Sequence, residues 1–344
     1  MSKMPALGVF EIFFGPAWPS TARKALAPVL RAAGYEFYIY GPKSDSSLRK
    51  NWAGPWPRDF LPGLHDLSET YRAHGLKFGV AFSPFGTQGS FGPSEKKLLE
   101  EQVSRLDEVG LDYFGLFFDD MPSGEGLAAR QMEVLDAVIA RTRAKIIFCP
   151  SYYSDDPILD RVFGARPENY LSDIGRLAPA GVEIAWTGPK VISPEITADH
   201  LTAVAATLRR APFVCDNIFA NDGPKNCKFL KVKPLAGRDA ASFRASGGWA
   251  LNPMNQIELS RLVLEASAGT LLRGEADAFE RVIAALPEGP RRILSSGELA
   301  GGLDALEPCA KQALALEAGS SEVGLEIAAW LEGEYSVGAE CLTD

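Results

Sequence analysis

Two adjacent aspartates, Asp119 and Asp120, close an apolar run at residues 112–118. Carboxylates at the end of a buried strand are costly unless they are used, because burial disfavours the charged form. Held side by side they cannot both ionise easily, so one pKa rises and the pair supplies an acid and a base at one pH. Two other readings fit the same dipeptide. Asp120 could cap a following helix while Asp119 bonds to backbone. The pair could also open a divalent-metal site, although no histidine or third acidic ligand sits nearby in sequence.

The elements that must position such a pair are legible as an alternation. Apolar runs fall at residues 7–14, 36–40, 77–82, 112–118, 144–149, 182–186, 212–216 and 249–252. They are short, continuous and rich in β-branched or aromatic residues, as strands buried on both faces are. Helical spacing occupies residues 21–33, 94–109, 125–142, 198–210 and 256–268 between them. Eight strand–helix alternations predict a parallel (β/α)8 TIM barrel, an α/β fold. Beyond about residue 269 the strand pattern stops. Helical patterns at 276–286, 301–318 and 321–332 follow, separated by Pro-Glu-Gly, Ser-Gly and Gly-Ser breaks. We therefore expect a barrel over residues 1–270 and a small helical C-terminal domain over 271–344.

A barrel carries its active site at the C-terminal ends of its strands. There the chain offers Ile12 and Phe14, Lys43, the aspartate pair, Cys149 and Tyr153, Thr187, Cys215, Asn217 and Asp222, and Asn252. Aromatic faces suit sugar C–H surfaces, and amides and carboxylates suit hydroxyls, so this rim reads as a carbohydrate site. Taken singly, each has a plainer reading. Lys43 could be a solvated loop lysine, Asn217 and Asp222 turn residues, and Tyr153 core packing.

Composition narrows the rest. A formal net charge of −9 over 344 residues, with no Lys/Arg run, argues against nucleic acid or an anionic membrane as partner. Five cysteines without a CxxC pair fit a reducing compartment, and the cytoplasm is the expected location. No apolar run is long enough to span a membrane. His65, His74 and His200 lie away from the strand ends, which speaks against zinc or a histidine-based triad. The Gly-rich residues 89–93 lack a phosphate-loop lysine and read as a sugar-site loop. Trp52, Trp56 and Phe60 fit either aglycone contacts or packing beneath a loop.

Six ordered motifs at these strand ends resemble glycoside hydrolase family 84, the β-N-acetylglucosaminidases that include the O-GlcNAcases. They are Tyr-Gly-Pro-Lys (residues 40–43), Leu-Phe-Phe-Asp-Asp (116–120), Cys-Pro-Ser-Tyr-Tyr (149–153), Trp-Thr-Gly-Pro-Lys-Val (186–191), Asp-Asn-Ile-Phe-Ala-Asn-Asp (216–222) and Leu-Asn-Pro (251–253). The resemblance runs from Gly8 to about Asn255. It implies a retaining exo-β-N-acetylglucosaminidase in which the 2-acetamido carbonyl attacks C1 and forms an oxazoline, an exception to the usual enzyme nucleophile. It assigns Asp119 to the acetamido N–H and Asp120 to general acid and then base. Tyr153 and Asn217 would hold the acetamide. Lys43, Asp222 and Asn252 would bind hydroxyls, with Lys43 reaching O3 or the acid aspartate, while Cys149 and Thr187 line the pocket. No cofactor and no metal are required. The substrate would be terminal β-linked N-acetylglucosamine on a glycoprotein or a small glycoside.

The chain departs from the family pattern at three of these positions. The first-strand motif usually reads Glu-Gly-Phe-Tyr-Gly and here reads Glu11-Ile12-Phe13-Phe14-Gly15; the usual Trp-Asp-Asn is Cys215-Asp216-Asn217. A reshaped pocket follows, and with it a rival: the same mechanism on a different 2-acylamino sugar. A sugar-binding protein without catalysis is a second rival, against which the intact aspartate pair argues. Leu316, Leu325, Ile327, Trp330 and Leu331 offer enough apolar surface for a homodimer through the C-terminal helices, although such stripes more often form intramolecular core.

Overall fold

A computed structural model of the chain describes residues 4–122 and 124–343. Residues 1–3 and Ser123, inside the expected barrel span, and Asp344, the end of the expected helical region, lie outside the described residues. Eight parallel strands close into a barrel: β1 (Leu7–Glu11), β2 (Phe37–Tyr40), β3 (Lys77–Phe82), β4 (Tyr113–Phe117), β5 (Lys145–Cys149), β6 (Glu183–Trp186), β7 (Phe213–Asp216) and β8 (Gly248–Leu251). Closure is the pairing of β1 with β8, Leu7 opposite Trp249. This is the expected (β/α)8 barrel, with helices around it and further helices after it.

The strand positions follow from burial on both faces, and five strands end where their apolar runs do, while β1, β4 and β8 stop short. β1 stops at Glu11, and residues 12–14 leave the sheet because Phe14 N–H donates to Asp222 Oδ2 at 2.9 Å, across the barrel mouth. The barrel interior is filled by rings. Phe10 stacks on Phe213 at 5.7 Å and meets Phe117 edge-on at 5.7 Å. Phe37 lies 6.0 Å from Phe213. Such offset and edge-on pairs add roughly 0.5–1.5 kcal/mol each beyond area burial.

Helices form at Ser20–Ala33, Pro93–Asp107, Leu127–Ile139, Ala198–Leu208 and Ile257–Ala268, where helical spacing predicts them. Four more lie inside the barrel region. Phe60–Ala73 follows β2, Pro157–Phe163 and Tyr170–Leu177 follow β5, and Ala240–Ala245 follows β7. The first is disguised by Pro62-Gly63, yet a proline in a helix's first turn loses no hydrogen bond. The same applies to Glu288–Ser296, whose Pro-Glu-Gly-Pro start reads as a break in sequence. The expected helix at 301–318 begins only at Pro308. Gly269–Arg273 forms a π-helical turn at the end of Ile257–Ala268.

The following helices pack onto the barrel through a polar tie. Glu326, on the helix Glu322–Leu331, accepts from Leu259 N–H at 2.7 Å, at the open start of Ile257–Ala268. A helix N-terminus has orphan amides, and a carboxylate satisfies them. Burial nevertheless dominates and pushes the Glu326 carboxyl up to about 7. Trp330 is fully buried and donates its indole N–H to Cys227 O at 3.0 Å. Of the five residues considered for a dimer stripe, Ile327, Trp330 and Leu331 are core within the chain, and Leu316 and Leu325 are exposed. Glu326→Ala leaves those amides without their acceptor. It is expected to lower stability by about 1–3 kcal/mol in a denaturant titration, with m unchanged.

Candidate active site

Asp119 and Asp120 follow β4 one residue after its end, and the backbone of Asp120 sits in the left-handed region at φ 57°. Non-glycine residues there are few, Asp and Asn being the most tolerant, and such strain concentrates at functional sites. The helix-cap reading of Asp120 fails, because the next helix starts at Leu127 and is preceded by Gly126. The metal reading lacks ligands: among the described residues no three His, Cys, Asp or Glu side chains gather as a metal site. Both aspartates are buried. Burial first, and the Asp119 charge second, raise the Asp120 carboxyl to about 7.

Lys43 is brought over from β2. Gly41 makes the crossing feasible, since a β-carbon there would lie 2.5 Å from the Ala81 methyl and 2.8 Å from its carbonyl oxygen. Lys43 Nζ pairs with Asp119 Oδ2 at 2.5 Å and sits 5.8 Å above the Phe117 ring. Its protein partner is Asp119; the resemblance offers sugar O3 or the acid aspartate as what Lys43 reaches. Phe117 forms the floor between barrel interior and pocket.

The pair lies in a pocket open to solvent at the barrel mouth. Every residue of the predicted strand-end rim lines it: Ile12 and Phe14 after β1, Lys43 after β2, the aspartates after β4, and Cys149 and Tyr153 at β5. Thr187 after β6, Cys215, Asn217 and Asp222 at β7, and Asn252 after β8 complete the set. Several are already engaged. Asn217 Nδ2 donates to Val191 O at 2.9 Å, and its Oδ1 accepts from Asn252 Nδ2 at 3.0 Å. Thr187 Oγ1 donates to Lys190 O at 3.0 Å, so this hydroxyl shapes the β6 loop. Two buried acceptors, Asp119 Oδ1 and Asn252 Oδ1, have no protein partner. Buried acceptors are almost always satisfied, and here both belong to residues on the cavity wall. The thiols of Cys149 and Cys215 are pushed up by burial and behave as small apolar groups.

Sequence reasoning did not find the supports beneath these groups. Glu11, fully buried, accepts from Arg23 at 2.8 and 2.6 Å and from the Tyr38 hydroxyl. Asp216 is clamped by Arg238 at 2.9 and 2.8 Å. This fixes the end of β7, from which Asn217 projects. Arg49 is buried, 5.3 Å from the Phe14 ring and 5.5 Å from that of Phe85, and its charge works against the rise at Asp120. Cys341 and Thr343, from beyond the last helix, also line the cavity. Conversely, residues 89–93 do not line it. Glu95 accepts from Gly92 N–H at 3.0 Å, and Pro93 opens a helix, so this loop is a helix entrance. Trp52, Trp56 and Phe60 do not line it either. Trp56 packs on Phe60 at 5.0 Å, and Trp52 on Phe82 at 6.0 Å.

A parallel barrel with a carboxylate pair, a lysine and two amides converging at its C-terminal mouth is the architecture of a glycoside hydrolase. The chain belongs to the β-N-acetylglucosaminidase family, whose model matches residues 7–284. It is 29% identical over 276 residues to the Protein O-GlcNAcase of Mus musculus and to that of Rattus norvegicus, which covers 76% of this chain. The chain spans only 29% of the length of those two relatives. Among solved structures, an Asp-to-Asn mutant of a Thermobaculum terrenum O-GlcNAc hydrolase superposes with a TM-score of 0.76 at 25% identity. That alignment covers 95% of this chain and 80% of the other. No helix among the described residues is long and apolar enough to cross a membrane.

Proposed function

We propose that the chain hydrolyses terminal β-linked N-acetylglucosamine with retention, using the sugar's own 2-acetamido group as nucleophile. One observation carries the reading. Asp119 has one oxygen on Lys43 and the other, Oδ1, buried on the cavity wall without a partner, next to a carboxyl raised to about 7. An acetamido N–H is the donor that such an acceptor lacks. With that N–H held, the acetamido oxygen attacks C1 as the glycosidic oxygen leaves and takes the Asp120 proton. The oxazoline is then opened at C1 by water, which returns a proton to Asp120. Asn252 Oδ1 accepts from a sugar hydroxyl, and Tyr153 and Asn217 border the acetamide. Residues 1–270 supply this chemistry, and 271–344 buttress it as a helical region. The cytoplasm is the compartment we assign.

The test is hydrolysis of an aryl β-N-acetylglucosaminide with an oxazoline-mimicking thiazoline in parallel. Turnover blocked by the thiazoline is expected, and Asp119→Asn is expected to lose at least about tenfold in kcat. Thiazoline-insensitive turnover would sink substrate assistance. The size of the acyl pocket is a separate matter, because Cys215, Ile12 and Phe14 all face the cavity. Their departure from the family pattern favours a second reading: a longer N-acyl group accepted by the same mechanism. A steep fall in rate from N-acetyl to N-propionyl and N-butyryl substrates would exclude it.

A further inference from the structure

A groove lies beside the catalytic pocket on the same face of the barrel. Its walls are Ile192 and Pro194, which follow β6, and Ile218, Lys233 and Pro234, which follow β7. Ile192 also lines the catalytic pocket, so the two depressions share a wall. The groove is built from fixed backbone. Arg238 donates to Pro194 O at 2.7 Å and to Ala236 O at 3.0 Å, one carbonyl from each wall. Ile196 N–H donates to Gly237 O at 2.9 Å. A β-carbon at Gly237 would lie 2.5 Å from Pro194 O, and its φ is 70°, so only glycine lets the two loops meet this closely.

The Ser193 hydroxyl, also on the lining, donates to Thr187 O at 2.9 Å. Lys233 is then the one charged side chain among the described lining residues. Among the described residues it makes no ion pair and no hydrogen bond. The carboxylate acting on it, Asp216, is held at both oxygens by Arg238, at 2.9 and 2.8 Å. Two cations therefore share one anion. Burial, and after it the Arg238 charge, lower the Lys233 ammonium, and an incoming carboxylate would oppose both. The neighbouring acids do not supply it. Asp239 caps its own helix, accepting from Ala241 and Ser242 N–H at 3.0 and 2.8 Å, and Glu195 is not part of the lining. The β7 loop is one-signed as well. Residues 223–238 carry Lys225, Lys228, Lys231, Lys233 and Arg238 and no Asp or Glu, in a chain of net charge −9.

We propose that this groove is an aglycone subsite for an acidic peptide flank, in which Lys233 receives the carboxylate of an aspartate or glutamate close to the serine or threonine that carries the sugar. The inference rests on the activity proposed above. With the sugar in the pocket, a peptide aglycone lies across the mouth, and the part that crosses Ile192 enters the groove. The apolar lining covers the peptide's side-chain stems. The ammonium supplies the choice between sequences, attracting one sign of charge and repelling the other.

The experiment measures kcat/KM on serine-linked N-acetylglucosamine peptides that differ only in glutamate, glutamine or lysine flanks, and on an aryl β-N-acetylglucosaminide. The glutamate peptide is expected to exceed the glutamine peptide by about threefold to fivefold at low salt, and the gap to close at about 0.5 M ionic strength. Lys233→Gln should bring these two peptides level. Lys233→Glu should reverse the order and put the lysine peptide ahead, with the aryl glycoside held within about twofold in both variants. Equal rates on the glutamate and glutamine peptides in the unaltered chain, or an order that neither variant changes, would overturn the subsite and leave the activity standing. No turnover of the aryl glycoside by the folded, unaltered chain would sink the activity and the subsite with it.

Discussion

Asp120→Asn is expected to lower kcat on a sugar- or serine-linked N-acetylglucosaminide by about 10²–10⁴-fold, the usual worth of a positioned general acid. An activated aryl glycoside should lose about tenfold or less, because its leaving group needs little protonation. The reason lies in where the carboxyl sits. Burial and the neighbouring Asp119 charge raise it to about 7, so near neutrality it still carries the proton that it must deliver. The sign of the pH effect follows. The protonated form is present below about 7 and is lost as pH rises through that value, so kcat on poor leaving groups should fall on the alkaline side. The asparagine variant should show no such limb. Steady-state kinetics on the two substrate types decide the matter. An equal loss on both would mean that Asp120 is not the acid.

Arg238→Met should unfold the site from below. Arg238 and Asp216 both have fully buried side chains, and the guanidinium also donates to the carbonyls of Ser193 and Pro194, at 2.7 Å each. Removing the cation leaves a carboxylate in the barrel wall with nothing to balance it, which costs about 3–5 kcal/mol. Asn217 and Asn252 are hydrogen-bonded to each other directly above this pair, so activity should fall along with stability. Thermal unfolding of the variant measures the effect. A shift in Tm below about 2 °C would contradict the pairing as a structural clamp.

The barrel was readable because each strand is a continuous apolar run, the pattern of burial on both faces. The ends of the runs misled for a functional reason. Ile12 and Phe14 are apolar, as strand residues are, but they lie beyond the sheet and face the pocket. The catalytic rim was readable because a strand-end residue in this fold has one direction to go. What supports the rim was not. Arg23 and Arg238 each find a carboxylate that sequence spacing does not nominate, and only the folded chain brings them together. Residues 89–93 were misread because glycine and proline suit a ligand loop and a helix entrance equally well. Cys341 and Thr343 carry no motif at all. The chain that carries them is tied by Tyr335 to Glu326 nearby, and by Val337 at Gly15 and Glu340 at Lys50, two contacts distant in the chain.

The pairing of Leu7 with Trp249 sets the pocket across the seam where the first and last strands meet. Ile12 and Phe14 stand on one side of that seam and Asn252 on the other, and Asn255 Nδ2 bridges it by donating to Phe14 O at 3.0 Å. With that seam open, water would reach the aspartate pair and burial, the first cause of the raised Asp120 carboxyl, would be lost. A chain whose seam is open would therefore carry the catalytic residues without a poised acid.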